Sequence, residues 1–205
     1  MNADELMKRI HSGQIYYEGS DPGRAARQLE RLDMVHRYNQ LPPSQQEEKA
    51  RLLGAMFARI GQGCYIETPF YANWGGQHVS FGDYVYANFN LTLVDDTCIT
   101  VGSHVMLGPN VVLCTGTHPI SPALRLRQAQ YNLPVSIGDN VWIGAGAVVL
   151  PGVTIGSHSV IGAGSVVTKD IPSGVVAAGS PCRVMREITP EDEARWKGLL
   201  PDAPV

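Results

Sequence analysis

Six histidines are spread over 205 residues, and one of them stands where chemistry is possible. His118 lies in Thr115-Gly116-Thr117-His118-Pro119. An imidazole with an unperturbed pKa near 6.5 is the natural general base around neutral pH. His104 in Val-Gly-Ser-His and His158 in Ile-Gly-Ser-His share one slot of a repeating pattern, which marks both as solvent-facing corner residues. His118 interrupts that pattern. Cys114, four residues earlier, invites a reading as a nucleophile, but a small buried core residue is the simpler expectation. Cys64, Cys98, Cys114 and Cys182 are 34, 16 and 68 residues apart, which matches neither a zinc site nor a dense disulfide scaffold. Reduced thiols in a cytoplasmic protein are expected. Taken alone, Asp95-Asp96 reads as a pair of turn carboxylates, and Lys169, Arg183 and Arg186 as solvated charges.

The pattern that His118 breaks has a period of six. Ile137, Ile143, Val149, Ile155, Ile161 and Val167 are all branched aliphatics, followed by Gly138, Gly144, Leu150, Gly156, Gly162 and Thr168. The same phase appears at Val101-Gly102, Leu107-Gly108 and Leu113. This period suits neither a helix nor an alternating strand. It suits a β-solenoid of short strands and recurring corners, each coil burying its apolar face on the next. The aliphatic side chain points into the core, and the following position is crowded, hence glycine. The beat runs from about residue 60 to 180, falters at Trp74-Gly75-Gly76, and disappears between Cys114 and Pro134. Residues 115–134 are therefore expected to form a loop thrown out from the coil wall, where chemistry tends to sit.

Residues 1–58 lack the hexad and read as helical. A short helix is expected over 4–12. A second runs to about Tyr38 behind Asp21-Pro22, and a third follows Pro42-Pro43 with Ser44 and Glu47 spaced as a capping box. The coil domain then occupies 59–187, and Thr189-Pro190 opens a short C-terminal helix in 188–205. Charged residues make up 17% of the chain against a usual ~25%, and 22 residues are glycine, which fits a turn-rich solenoid and excludes disorder. So few charges on a repetitive surface imply burial by oligomerisation. A net charge of −3 gives no reason to expect nucleic acid or a membrane surface as partner. The acidic start Met1-Asn2-Ala3-Asp4-Glu5 does not read as a signal peptide, and no apolar run approaches a membrane span.

The segments VYANFNLTLVDD from Val85, TGTHP around His118, VWIGAGAVVLPGVTIG, VIGAGSVVTKDIP and VVAAGSPCRVMREI together resemble the maltose and galactoside O-acetyltransferases, which are hexapeptide-repeat acyltransferases. The likeness covers essentially the whole chain, including MKRIHSGQIYYEGSDP. It implies an all-β solenoid, a left-handed parallel β-helix that departs from the right-handed crossover rule, working as a homotrimer with sites between subunits. It implies transfer of acetyl from acetyl-CoA to a sugar hydroxyl, with His118 as the general base and no metal. By the same likeness Asn88 contacts acceptor and acyl group and stabilises the oxyanion. Asp96 binds acceptor hydroxyls, Asn73 matches another acceptor-binding residue across a one-residue insertion, and Glu18 stands where relatives have Asp. Tyr86 and Gln130 are further pocket candidates. The resemblance lays the pantetheine arm against Trp142, Ala145 and Ala163, and sets Thr168, Lys169, Arg183 and Arg186 at the nucleotide end, where cations pair with phosphate. Ala145 replaces a serine of some relatives.

Rival readings keep the coil and change the chemistry. A γ-class carbonic anhydrase needs three histidines converging on zinc. His78, His104 and His118 can be nominated, but the close histidine pair of that family is missing. A non-catalytic trimeric scaffold would leave the His118 loop and the basic set without use. Among acetyltransferases, acceptors such as chitooligosaccharides, serine or xenobiotics share the coil, and the N-terminal segment with Ala87-Asn88-Phe89-Asn90 favours the sugar branch.

Overall fold

The computed structural model describes residues 3–17 and 23–197. Its body is a left-handed parallel β-helix whose short strands stack into three flat faces. Face one contains Arg59–Ile60, Val79–Phe81, Ile99–Val101, Val135–Ile137 and Thr154–Ile155. Face two runs from Tyr65–Ile66 through Tyr86–Ala87, Met106–Leu107, Trp142–Ile143 and Val160–Ile161 to Val175–Gly179. Face three contains Tyr71–Ala72, Thr92–Val94, Val112–Cys114, Val148–Val149 and Val166–Val167. The chain visits the faces in that order, once per coil.

The hexad explains this register. Leu107 pairs with Ile143 and Ile143 with Ile161 on face two, while Leu113, Val149 and Val167 pair in the same way on face three. These aliphatic side chains are buried in one continuous core. Alternation along each strand turns the neighbouring residue outward. Cys114 follows inward-facing Leu113, so it lies half-buried on the outer surface of face three, which corrects its expected place in the core. Burial raises the pKa of its thiol, with a smaller contribution from nearby Asp96.

Glycine after the aliphatic residue has a measurable cause. A Cβ on Gly138 would lie 2.6 Å from the Ser157 backbone nitrogen, and one on Gly156 would lie 2.4 Å from that of Ser173. Stacked coils approach too closely there for any side chain. At the same edge, between faces one and two, Tyr84, His104, Asn140 and His158 hold φ between 52° and 62°. His104 and His158 are thus equivalent exposed corner residues, as their shared slot predicts. A side-chain ladder runs beside them: Asp83 Oδ1 accepts from Gln62 N, Ser103 Oγ from Asp83 N, Asp139 Oδ1 from Ser103 N and Ser157 Oγ from Asp139 N, at 2.7 to 3.0 Å.

Helices close the prism. Helix α1 is Ala3–Ile10, α2 is Arg24–Gln40 and α3 is Gln46–Met56. Helix α2 lies along the first coils, where Tyr38 donates to the Ile66 carbonyl at 2.7 Å and Asn39 exchanges hydrogen bonds with the backbone of Phe70. The expected Ser44/Glu47 capping box does not form. Helix α3 begins behind Gln45, one residue past the serine, and no side chain caps it. The Asp21-Pro22 start proposed for α2 lies outside the described residues. At the other end an antiparallel hairpin of Val175–Gly179 and Cys182–Glu187 covers the last coil, before a final helix. That final helix spans Pro190–Lys197.

The extruded segment is more ordered than a plain loop. It carries helix α4, Pro122–Leu126, and a strand Ala129–Asn132 that pairs antiparallel with Gly116–Thr117 on one side and Tyr16–Tyr17 on the other. Among the described residues no helix is long and apolar enough to cross a membrane.

Candidate active site

Both interruptions of the hexad fall on one edge of the prism, between faces three and one. There Asn73-Trp74-Gly75-Gly76 leaves the first coil, Asp95-Asp96-Thr97-Cys98 the next, and residues 115–134 the one after. Stacking sets these turns side by side, although some 40 residues of sequence separate them. They enclose a polar cavity of about 290 Å³ lined by Gln28, Asn73, Asp96, Gly116, His118 and Gln130 with Val94.

His118 is fixed through one ring nitrogen. Its Nδ1 lies 2.9 Å from the Ala129 carbonyl, an acceptor only, so in the neutral ring Nδ1 carries the proton and Nε2 keeps a lone pair. The strand that supplies Ala129 is itself anchored, because Asn132 donates to the Ile10 carbonyl at 3.1 Å and bonds Tyr16, while Gln130 donates to Asn132. Thr115 anchors the base of the loop, with its Oγ1 donating to the Val94 carbonyl and accepting from Thr97 N.

Asp96 is 3% exposed, and its Oδ1 accepts from Asn73 Nδ2 at 2.9 Å and Trp74 Nε1 at 3.0 Å. The other oxygen is reached across Gly116. A Cβ at that position would stand 2.5 Å from Oδ2, so glycine keeps this side of the carboxylate accessible. Beneath it Asp95 is fully buried and accepts from Trp74 N at 2.7 Å and Gly76 N at 3.0 Å. Burial pushes the Asp95 carboxyl up to about 6, against the opposing pull of those backbone N–H groups. Next to it, His78 bonds the Asp95 carbonyl through Nδ1 and His11 bonds Thr97 Oγ1, and burial lowers the pKa of both imidazoles.

Of the residues expected at the site, the structure gathers His118, Asn73, Asp96 and Gln130 around this cavity. Glu18 lies outside the described residues. Asn88 does not line the cavity. It follows the face-two strand Tyr86–Ala87 on a different edge, where its side-chain oxygen accepts from Phe89 N at 2.7 Å. Tyr86 is also on face two, with its hydroxyl 3.4 Å from Glu67. Of the histidines nominated for zinc, His104 stacks on Tyr84 at a third edge, and no group of three metal-ligating side chains forms among the described residues.

The residues expected along the second substrate form a separate track. Trp142 is 52% exposed on face two. Ala145 and Ala163 stack on the edge between faces two and three, where Gly164 N donates to the Ala145 carbonyl at 2.8 Å. Their small exposed side chains leave the backbone approachable. Thr168 and Lys169 are exposed two coils beyond the His118 loop, and Arg183 is exposed on the final hairpin. Arg186 is committed elsewhere: both its terminal nitrogens meet Asp192, at 2.6 and 2.8 Å.

Sequence reasoning missed Gln28, whose Nε2 donates to Asn73 Oδ1 at 3.0 Å from helix α2. Nothing in the sequence near Gln28 signals this, because the partner is 45 residues away. Gly116 lay inside a recognised motif without an assigned role. A larger hollow of about 510 Å³ adjoins the cavity between α2 and face three, lined by Leu32, Val35, Tyr71 and Leu93 among others. It is mainly apolar and holds no equivalent of the His118–Asp96 pair.

Comparison with known proteins covers most of the chain. Residues 134–169 match the bacterial transferase hexapeptide model of six repeats, and residues 9–61 match the maltose acetyltransferase hexapeptide capping motif. A galactoside O-acetyltransferase of Lactococcus lactis subsp. lactis (strain IL1403) is 55% identical over 188 residues, covering 92% of this chain and 90% of the relative. A solved galactoside acetyltransferase in complex with coenzyme A superposes with a TM-score of 0.88 at 44% identity, covering 92% of this chain and 93% of the other. A maltose O-acetyltransferase from Clostridium difficile 630 superposes with a TM-score of 0.85 at 37% identity, over 89% and 96% of the two chains.

Proposed function

The chain belongs to the hexapeptide-repeat acetyltransferases of the galactoside and maltose type, and from that premise we propose that it transfers acetyl from acetyl-CoA to a hydroxyl of a sugar or glycoside, with His118 as the general base. The observation that carries this reading is the placement of His118. Its Nδ1 lies against the Ala129 carbonyl, so that in the neutral ring Nε2 is the nitrogen with the free lone pair, and the residue lines a cavity that also presents Asp96.

Acetyl-CoA, when bound, supplies an activated thioester carbonyl. His118 Nε2 takes the proton of the acceptor hydroxyl as the oxygen bonds to that carbonyl carbon. It returns the proton to sulfur as the C–S bond breaks. Asp96 accepts a hydrogen bond from another hydroxyl of the acceptor, with Asn73 and Gln130 beside it. Asn88 donates to the oxyanion, a contribution typically worth ~2.7 to 4 kcal/mol of barrier. Because Asn88 sits away from His118 in its own chain, this reading brings it in from a neighbouring copy and so requires a homotrimer with the site between subunits. Trp142, Ala145 and Ala163 then line the pantetheine arm. Thr168, Lys169 and Arg183 meet the nucleotide, and Arg186 joins them on release from Asp192. The four free cysteines suit a reducing, cytoplasmic setting.

A screen of sugars and glycosides with acetyl-CoA, following the released thiol, tests the acceptor class. Thiol release with one or more glycosides is expected. Release with serine or an antibiotic, and with no glycoside, would overturn it.

A further inference from the structure

We infer that Trp74 is a positioning residue for acceptor binding: through its indole N–H, and braced by helix α2, it holds Asp96 so that one carboxylate oxygen faces the cavity. This rests on the reading of Asp96 as an acceptor-binding residue. Trp74 is 3% exposed and is absent from the cavity lining, so it acts on a bound sugar only through Asp96.

The geometry is a two-point brace. Oδ1 of Asp96 receives two N–H donors, from Trp74 Nε1 and Asn73 Nδ2. A buried carboxylate needs such donors, and donors on one oxygen also fix the rotation of the group. Each donor is held in turn by the same face of α2. The Arg24 guanidinium carbon lies 4.0 Å from the centroid of the Trp74 ring, and Gln28, one helical turn on, donates to both the side-chain and backbone oxygens of Asn73. From below, Asp95 anchors the Trp74 and Gly76 backbone nitrogens, which sets the turn carrying the indole. Helix α2 touches no atom of Asp96 in these contacts, yet both donors to it answer to that helix.

Kinetics of Trp74→Phe with the preferred glycoside test the inference, since phenylalanine keeps an aromatic face for Arg24 and removes the donor. Acceptor KM should rise roughly tenfold, the scale of one hydrogen bond to a charged group, with kcat and the KM for acetyl-CoA within about twofold. In an Asp96→Asn background the same change should have little further effect. An unchanged acceptor KM in Trp74→Phe, or a full effect persisting beside Asp96→Asn, overturns the positioning role. If Asp96→Asn alone leaves acceptor KM unchanged, the reading of Asp96 falls and this inference with it. An effect of Asp96→Asn without one of Trp74→Phe sinks the inference alone. Should Trp74→Phe not accumulate folded, benzothienylalanine at position 74 replaces only the N–H with sulfur, and the same outcomes apply.

Discussion

Two edges of one prism were built from the same chain by opposite rules. Between faces one and two the four corners that begin at Gly82, Gly102, Gly138 and Gly156 turn alike, each with a glycine that admits no Cβ, a left-handed residue, and a side chain capping the previous coil. Between faces three and one no two of the first three coils turn alike. Six of the ten buried polar or charged residues among those described collect there: Asp95, Asp96, Thr97, Thr115, Gln130 and Asn132. The contrast shows a division of labour. Repetition satisfies backbone groups cheaply and leaves nothing over, whereas irregular turns must bury polar side chains to close, and those side chains can then hold a ligand.

The largest test of that division is His118→Ala at the irregular edge. Turnover should fall roughly 10² to 10⁴ fold, the usual reach of general acid–base catalysis, while the unfolding midpoint stays within experimental scatter. Near-normal turnover in a folded variant removes His118 from the mechanism.

Asp95 offers a test by pH. Its carboxyl titrates higher in the folded protein than in the unfolded chain, so its stabilising contribution is complete below about pH 4 and is lost as pH rises through about 6. Asp95→Asn has no carboxyl to titrate. The stability advantage of wild type over it should therefore shrink by about 2 to 3 kcal/mol between pH 4 and 7, measured by urea unfolding at each pH. A gap that stays constant or widens would show that Asp95 titrates at or below the ordinary carboxylate value.

The smallest of the three, and the reverse in kind, is Gly138→Ala at the regular edge. The new Cβ would meet the Ser157 backbone, so a loss of about 1 to 3 kcal/mol is expected, with kcat of the folded fraction unchanged. Loss of activity without loss of stability would erase the distinction between the edges.

Legibility followed the same line. The hexad revealed the faces, the inward aliphatics and the common slot of His104 and His158, because each coil repeats one steric problem. His118 was visible as a break in that repetition. The strand Tyr16–Tyr17 was not, since two residues are too short to display a period and its partner lies over 100 residues away. The brace from Arg24 and Gln28 to Trp74 and Asn73 was hidden for a related reason: it is a contact between a helix and a turn, and neither element encodes the other. Cys114 was misassigned although the sequence held the answer, since inward Leu113 requires its neighbour to face out.

Stacking also converts counting into length. From Val112 to Val148 to Val166 the chain climbs two rungs of face three, each about 4.8 Å, so Thr168 and Lys169 stand some 10 Å along the prism from the strand that launches the His118 loop. Such a scale cannot be tuned continuously. Adding or deleting one coil, the interval from Val148 to Val166, moves the far end by a whole rung. Evolution of this chain toward a longer or shorter donor must therefore proceed by steps, or by reshaping the side chains that end it.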